Sequence, residues 1–134
     1  MQSIIDDLLP LAIEKINAKT EIKDGVKVKG IYESYLSQFG PMAYQIGIRS
    51  TLAVYYNKDA ESSGGDRKHI LQLIFDVLKS NTTLNFANNQ NFNNWIEAIL
   101  TNTTDIDDNT ESLLLDASVA LKRAIRTFYL TDKK

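Results

Sequence analysis

The chain has 134 residues, 43% apolar and 24% charged, which is enough for one hydrophobic core and too apolar for a disordered tail. A single domain over residues 1–134 is expected, and no apolar run approaches the roughly 20 residues that cross a bilayer, so no membrane partner is expected. With no cysteine and one histidine, His69, thiol nucleophiles, zinc fingers and multi-histidine metal sites are excluded, and Met1-Gln2-Ser3 does not open a signal peptide, so the expected compartment is cytoplasmic.

Taken in chain order, the apolar spacing is helical almost throughout. Leu9, Ala12, Ile13 and Ile16 recur at helical intervals, with Asp6 and Asp7 where the macrodipole favours acids. Pro10 argues for a cap at Asp6 or Asp7 rather than Ser3 unless the helix is kinked. Residues 20–30 read as a loop leading into a helix, with Asp24-Gly25 as a candidate hairpin turn and no sheet expected beyond a hairpin at 22–28. A second helix runs from Ile31 to Gln38 and is expected to break at Phe39-Gly40-Pro41. Met42 to Tyr56 is apolar on most sides, the pattern of a central helix.

Glu61 to Gly65 reads as a loop, and Asp66 as the N-cap of a helix carrying Ile70, Leu71, Ile74, Phe75, Val77 and Leu78. Between Ser80 and Asn94 asparagine recurs seven times, which favours turns because its side chain competes for backbone bonds. Phe92 to Leu100 restores a short helix. Asp108 and Glu111 then resemble a capping box for the longest helix, expected to reach Leu130. The fold class that follows is all-α, a compact single-domain bundle of five to seven helices.

The net charge of −2 conceals a segregated pattern. Residues 23–58 carry five basic side chains against two acidic, and 117–134 carry five against Asp132 alone, whereas 80–116 hold six acids and no Lys or Arg. Such a chain can present a positive face to a phosphate backbone, or faces of opposite sign to neighbouring proteins.

Catalytic motifs are wanting. Gly25 to Gly30 has Walker A glycine spacing but continues Ile31-Tyr32 where Lys and Ser/Thr are required. Ser62 or Ser63, His69 and Asp66 are close in sequence without a nucleophile elbow. Asp105, Asp107, Asp108 and Glu111 lack the calcium-loop pattern and read as a helix N-terminus rich in acids. Asn81-Thr82-Thr83 and Asn102-Thr103-Thr104 match the glycosylation pattern by chance. No enzyme activity, cofactor or metal is expected.

The terminal helix is more informative. Leu114, Ala117, Leu121, Ala124, Ile125 and Phe128 form an apolar arc, while Leu115 and Val119 fall among Lys122, Arg123 and Arg126. Two aliphatics mixed with three cations suit a face that meets a partner, although a helix buried on two sides has the same pattern. Leu115 and Val119 are therefore candidates for partner binding and the three cations for a nucleic-acid phosphate backbone, with Lys27, Lys29 and Arg49 as further candidates for the same contact. Arg49, on the least apolar strip of its helix, is also explained by snorkelling.

Tyr32 to Leu36, Phe39 to Met42, Gln45 to Ile48 and Thr51 to Tyr56, with Leu121-Lys122-Arg123 in the closing helix, resemble the small subunit of the Cmr complex, the type III-B CRISPR RNA-targeting effector. The sequence departs from that family's pattern at Ile46, Ile48 and Ala120, and its proline falls one place later. The resemblance covers most of the chain. It implies a non-catalytic all-α subunit, several copies of which stack along the guide-binding backbone and support the guide–target RNA duplex. The implied partners are other Cmr-complex subunits, further copies of the chain itself, and guide and target RNA. The alternative from another class is a helical protein-interaction adaptor with no nucleic-acid role.

Overall fold

The computed structural model describes residues 3–25, 27–57, 66–87, 90–102 and 104–130. Six α-helices account for most of them: α1 (Ile4–Ala18), α2 (Gly30–Ile46), α3 (Ile48–Tyr56), α4 (Lys68–Ser80), α5 (Phe92–Thr101) and α6 (Asp108–Ile125). The all-α expectation therefore holds. Three two-residue strands are added, β1 (Lys23–Asp24), β2 (Lys27–Val28) and β3 (Tyr129–Leu130). The β1–β2 hairpin is antiparallel, and β3 pairs parallel with β2, Lys27 opposite Tyr129 and Val28 opposite Leu130. That third strand goes beyond the expected hairpin, and it ends α6 at Ile125 rather than Leu130.

The core is a single cluster in which α6 is the central helix, packed on α1, α2 and α4. Leu114, Ala117, Leu121, Ala124 and Ile125 are fully buried along it, as the apolar arc requires. Ser118, also buried, donates its hydroxyl to the Leu115 carbonyl at 2.7 Å, so the only polar side chain buried on this helix has a partner.

Both prolines depart from expectation in the same way. Ser3, not Asp6 or Asp7, caps α1, its hydroxyl accepting from the Asp6 amide at 3.2 Å, and Pro10 lies inside the helix. Likewise α2 runs unbroken through Gly40 and Pro41. An interior proline costs about 3 kcal/mol, but both rings are exposed, while Leu8, Ala12 and Ile16 on α1 and Phe39 and Ala43 on α2 are buried. Each buried Leu, Ile or Phe contributes about 1.5–3 kcal/mol, which outweighs the missing amide.

The break falls instead at Gly47, the one residue between α2 and α3, with φ 91° and ψ 157°. Its amide donates to the Ala43 carbonyl, and its own carbonyl accepts from the Thr51 amide and hydroxyl. Thr51 is fully buried, so this bond also satisfies a polar group in the core. The expected central helix from Met42 to Tyr56 is thereby divided. Ile48, Leu52 and Tyr55 turn inward, while Tyr44 is 94% exposed and Ile46 47% exposed.

Aromatic rings fasten α2, α3 and α4. Phe39 meets Tyr55 edge-on at 5.3 Å, the Tyr55 hydroxyl donates to the Tyr35 carbonyl, and the Arg67 guanidinium lies 4.4 Å above the Tyr35 ring. Burial pushes the Tyr55 phenol up to about 12, so it remains a donor at neutral pH. A second set, Phe75, Phe86, Phe92 and Trp95, joins α4 to α5 across the asparagine-rich turn.

The asparagines do the local work their chemistry suggests. Asn91 caps α5 by accepting from the Asn94 amide at 2.8 Å, and Asn85 takes the left-handed conformation after a 3-10 turn at Thr82–Leu84. In both Asn-Thr-Thr sequences the Asn side chain accepts from the amide and hydroxyl of the second Thr. Those matches to a glycosylation pattern are turn chemistry. The N-cap of α4 is Arg67, without a side-chain cap bond, rather than the expected Asp66, which stands one place earlier and whose carboxylate accepts from the Lys68 amide at 2.9 Å.

Candidate nucleic-acid and partner interface

Five of the six candidate RNA contacts gather at one end of the molecule. The β2–β3 pairing sets Lys27 beside the chain that leaves α6, and Lys29 is the N-cap of α2. Arg126, just past α6, donates to Glu33 in the first turn of α2 at 2.9 Å, which ties the same two elements together. Arg123 and Lys122 lie one turn earlier, Arg123 exposed and Lys122 half-buried, while Lys27 and Lys29 are exposed. Sequence separation hid this convergence: about 100 residues lie between Lys29 and Arg126, and a parallel pairing two residues long closes the gap.

Arg49 is not among them. Its Nε donates to the Ile99 carbonyl at 2.8 Å and its Nη2 to the Thr104 carbonyl, so the guanidinium fastens α3 to the chain running from α5 into α6. Two of its N–H donors are thus held by the fold itself. Bonds to both carbonyls make it a structural tie, and Arg49→Ala should destabilise the fold by about 1–2 kcal/mol, since charge-assisted bonds are lost but part of the site is open to water. A urea titration compared with wild type reads this directly; an unchanged midpoint would show that the tie carries no stability.

The exposed side of α6 changes character along its length. At 100° per residue Asp108, Glu111, Leu115, Val119, Lys122 and Arg126 fall on one stripe, acidic at the start, aliphatic in the middle and basic at the end. All six are half-buried or exposed. Leu115 packs against the flank of the core, whereas Val119 is half-buried without joining that packing. The two aliphatic candidates thus differ, and Val119 is the cleaner probe of a partner.

At the acidic end Asp107, rather than Asp108, is the N-cap. Its carboxylate accepts from the Thr110 amide at 2.8 Å and the Thr110 hydroxyl at 3.0 Å, and these bonds hold it below the usual carboxylate range. A depressed carboxyl contributes stability above its unfolded pKa and loses it as pH falls through the folded value. An NMR titration should find Asp107 titrating below ordinary aspartates, and in Thr110→Ala should move it upward.

No catalytic constellation forms among the described residues. His69 lies 3.4 Å from Gln72 through Nδ1 and edge-on to the Tyr32 ring. Ser62 and Ser63 lie outside the described residues, as does Val26 of the Walker-like stretch. No group of three or more acids or histidines is placed to hold a metal ion among the described residues, and no helix among them is long and apolar enough to cross a membrane.

Sequence reasoning missed the end of α2, where Tyr44 and Ile46 are exposed in a stretch with no charge between Glu33 and Lys58 except Arg49. The available signal was that absence of charge, which reads equally as burial. Compared with known families, residues 10–128 match the family model described as CRISPR-associated protein (Cas_Cmr5). No curated protein and no solved structure matches the chain.

Proposed function

We propose, on the premise that this chain belongs to the CRISPR-associated protein (Cas_Cmr5) family and is a small subunit of a type III-B Cmr complex, that it is a non-catalytic part that supports the guide–target RNA duplex through its basic end. Copies of the chain stack along the guide-binding backbone in this reading, with Val119 and Leu115 packing on a neighbour, and the assembly works in the cytoplasm. The observation that carries the RNA role is the convergence of Lys27, Lys29, Lys122, Arg123 and Arg126 at one end of a protein whose net charge is −2. Duplex phosphates attract such an end without sequence preference, which leaves the sequence to be read by guide pairing.

The second reading is an adaptor within the complex that touches no RNA. It is favoured by the six acids of residues 80–116 and by the structural use of Arg49. The triple variant Lys122→Gln, Arg123→Gln, Arg126→Gln separates the two. The Arg126 side chain is 55% exposed and the Glu33 carboxylate it meets 12% exposed, and a glutamine at position 126 keeps an N–H donor for that carboxylate, so the variant should fold and assemble. Salt titration of RNA retention by the assembled complex should then lose about 2–3 units of log–log slope for each copy in contact, since each phosphate contact contributes roughly 0.7–0.9. An unchanged slope in a complex of normal composition would favour the adaptor.

A further inference from the structure

Among the described residues, Arg126 is the one cation of the basic end in an ion pair: its Nε donates to Glu33 Oε2 at 2.9 Å. The pair is lopsided, because the Glu33 side chain is largely covered while more than half of the Arg126 side chain is exposed. The carboxylate is set in the fold, and the guanidinium reaches past it into water. Neither charge depends on the other for its place. Glu33 lies in the first turn of α2 and Arg126 is the C-cap of α6, so each helix dipole already favours the group it carries.

What the bond adds is direction. A guanidinium is a planar fork of donors, and once Nε is held by a carboxylate the donors left over are the two Nη groups at the far edge of the plane. Among the described residues the Arg126 guanidinium makes no second hydrogen bond. Arg49 is the opposite case, since its Nε and Nη2 both go to backbone carbonyls and its fork closes on the fold itself.

We propose that Glu33 is a positioning residue for RNA phosphate: by holding Nε, it presents the two Nη groups of Arg126 as an oriented fork for the non-bridging oxygens of one phosphodiester. The inference rests on the RNA role proposed above and deepens it. A bidentate arginine–phosphate contact requires the guanidinium plane to be aligned as well as near. Ordering a long side chain that is free in water weakens binding by about two- to tenfold, and Glu33 orders this one beforehand. A carboxylate beside a phosphate also repels it, so holding and repulsion act with opposite sign.

That opposition gives the test. RNA affinity and its salt dependence are measured on assembled complexes carrying Glu33→Ala, Glu33→Gln, Arg126→Gln, Arg126→Lys or Glu33→Ala with Arg126→Gln, each chain first shown to be folded by a thermal melt. Glu33→Ala should weaken binding about two- to tenfold per contacting copy although it removes a negative charge, with the salt slope kept because Arg126 still meets the phosphate. Glu33→Gln retains an oxygen acceptor for Nε and should restore binding to at least the wild-type level. Arg126→Lys should weaken binding with the slope kept, whereas Arg126→Gln should also lower the slope by roughly 0.7–0.9 per copy. Glu33→Ala should have no further effect in the Arg126→Gln background. Tighter or unchanged binding by Glu33→Ala would make Glu33 a competing anion or a bystander and overturn the proposal. An equal loss with and without Arg126 would overturn it too, by showing a structural role that does not act through the guanidinium. A slope unchanged in Arg126→Gln but lowered in the triple variant would overturn it and leave the RNA role standing on Lys122 and Arg123; a slope unchanged in both would remove the two together.

Discussion

Leu121→Ala is expected to lower stability by about 2–5 kcal/mol, because a fully buried leucine at the centre of the core leaves a cavity as well as losing its transfer energy. Leu121 sits on α6 where that helix meets α1, α2 and α4, so no single neighbour can relax into the space. For a domain of this size the melting temperature should fall by roughly 10 °C or more. Val119→Ser, two residues earlier at a half-buried position that does not join the core packing, should change stability by less than about 1 kcal/mol and act on incorporation into the complex instead. Thermal melts and co-purification, measured on both variants, separate core from interface on one helix. If Val119→Ser melts as early as Leu121→Ala, the stripe is core and the partner reading of α6 is wrong.

Gly47→Val should cost about 3 kcal/mol, near the top of the range for a residue forced into a region that only glycine populates. At φ 91° and ψ 157° a Cβ clashes with its own backbone, although the surrounding space is empty. The loss is therefore conformational and not a matter of room. A β-branched side chain is the worst case because its branches also restrict the local backbone. The chain can respond by rotating α3, which would draw Arg49 away from the Ile99 and Thr104 carbonyls. Urea titration gives the stability, and amide exchange at Thr51, whose amide and hydroxyl both bond the Gly47 carbonyl, gives the local opening. A wild-type midpoint with unchanged exchange would mean that Gly47 tolerates a side chain and that the joint is not held as described.

Much of the candidate interface was legible in residue type but not in position. That Lys122, Arg123 and Arg126 share the outer side of the last helix follows from its period, and the structure agrees. That Lys27 and Lys29 join them does not follow, because their meeting depends on β3, whose two residues carry no local strand signal of their own. Arg49 was assigned to RNA on charge and strip position. Its partners are backbone carbonyls more than 45 residues ahead, and a backbone carbonyl has no signature in sequence.

What the sequence by itself determined are features decided within about four residues: the helical period, the turn chemistry of the asparagine-rich segment, and the buried arc of α6. These depend on side chains meeting their own local backbone, and the chain carries both partners in one window. The tertiary structure alone decided where the helices stop. Pro10 and Pro41 have the local energetics of breaks and are passed over, because the opposite faces of α1 and α2 bury leucine, isoleucine and phenylalanine against α4 and α6. Gly47 has no such face to lose. With Ile48, Leu52 and Tyr55 drawn into the core, the chain turns at the one residue able to take that conformation. Burial energy summed over distant partners outweighs a single missing amide, and only the assembled core contains that sum.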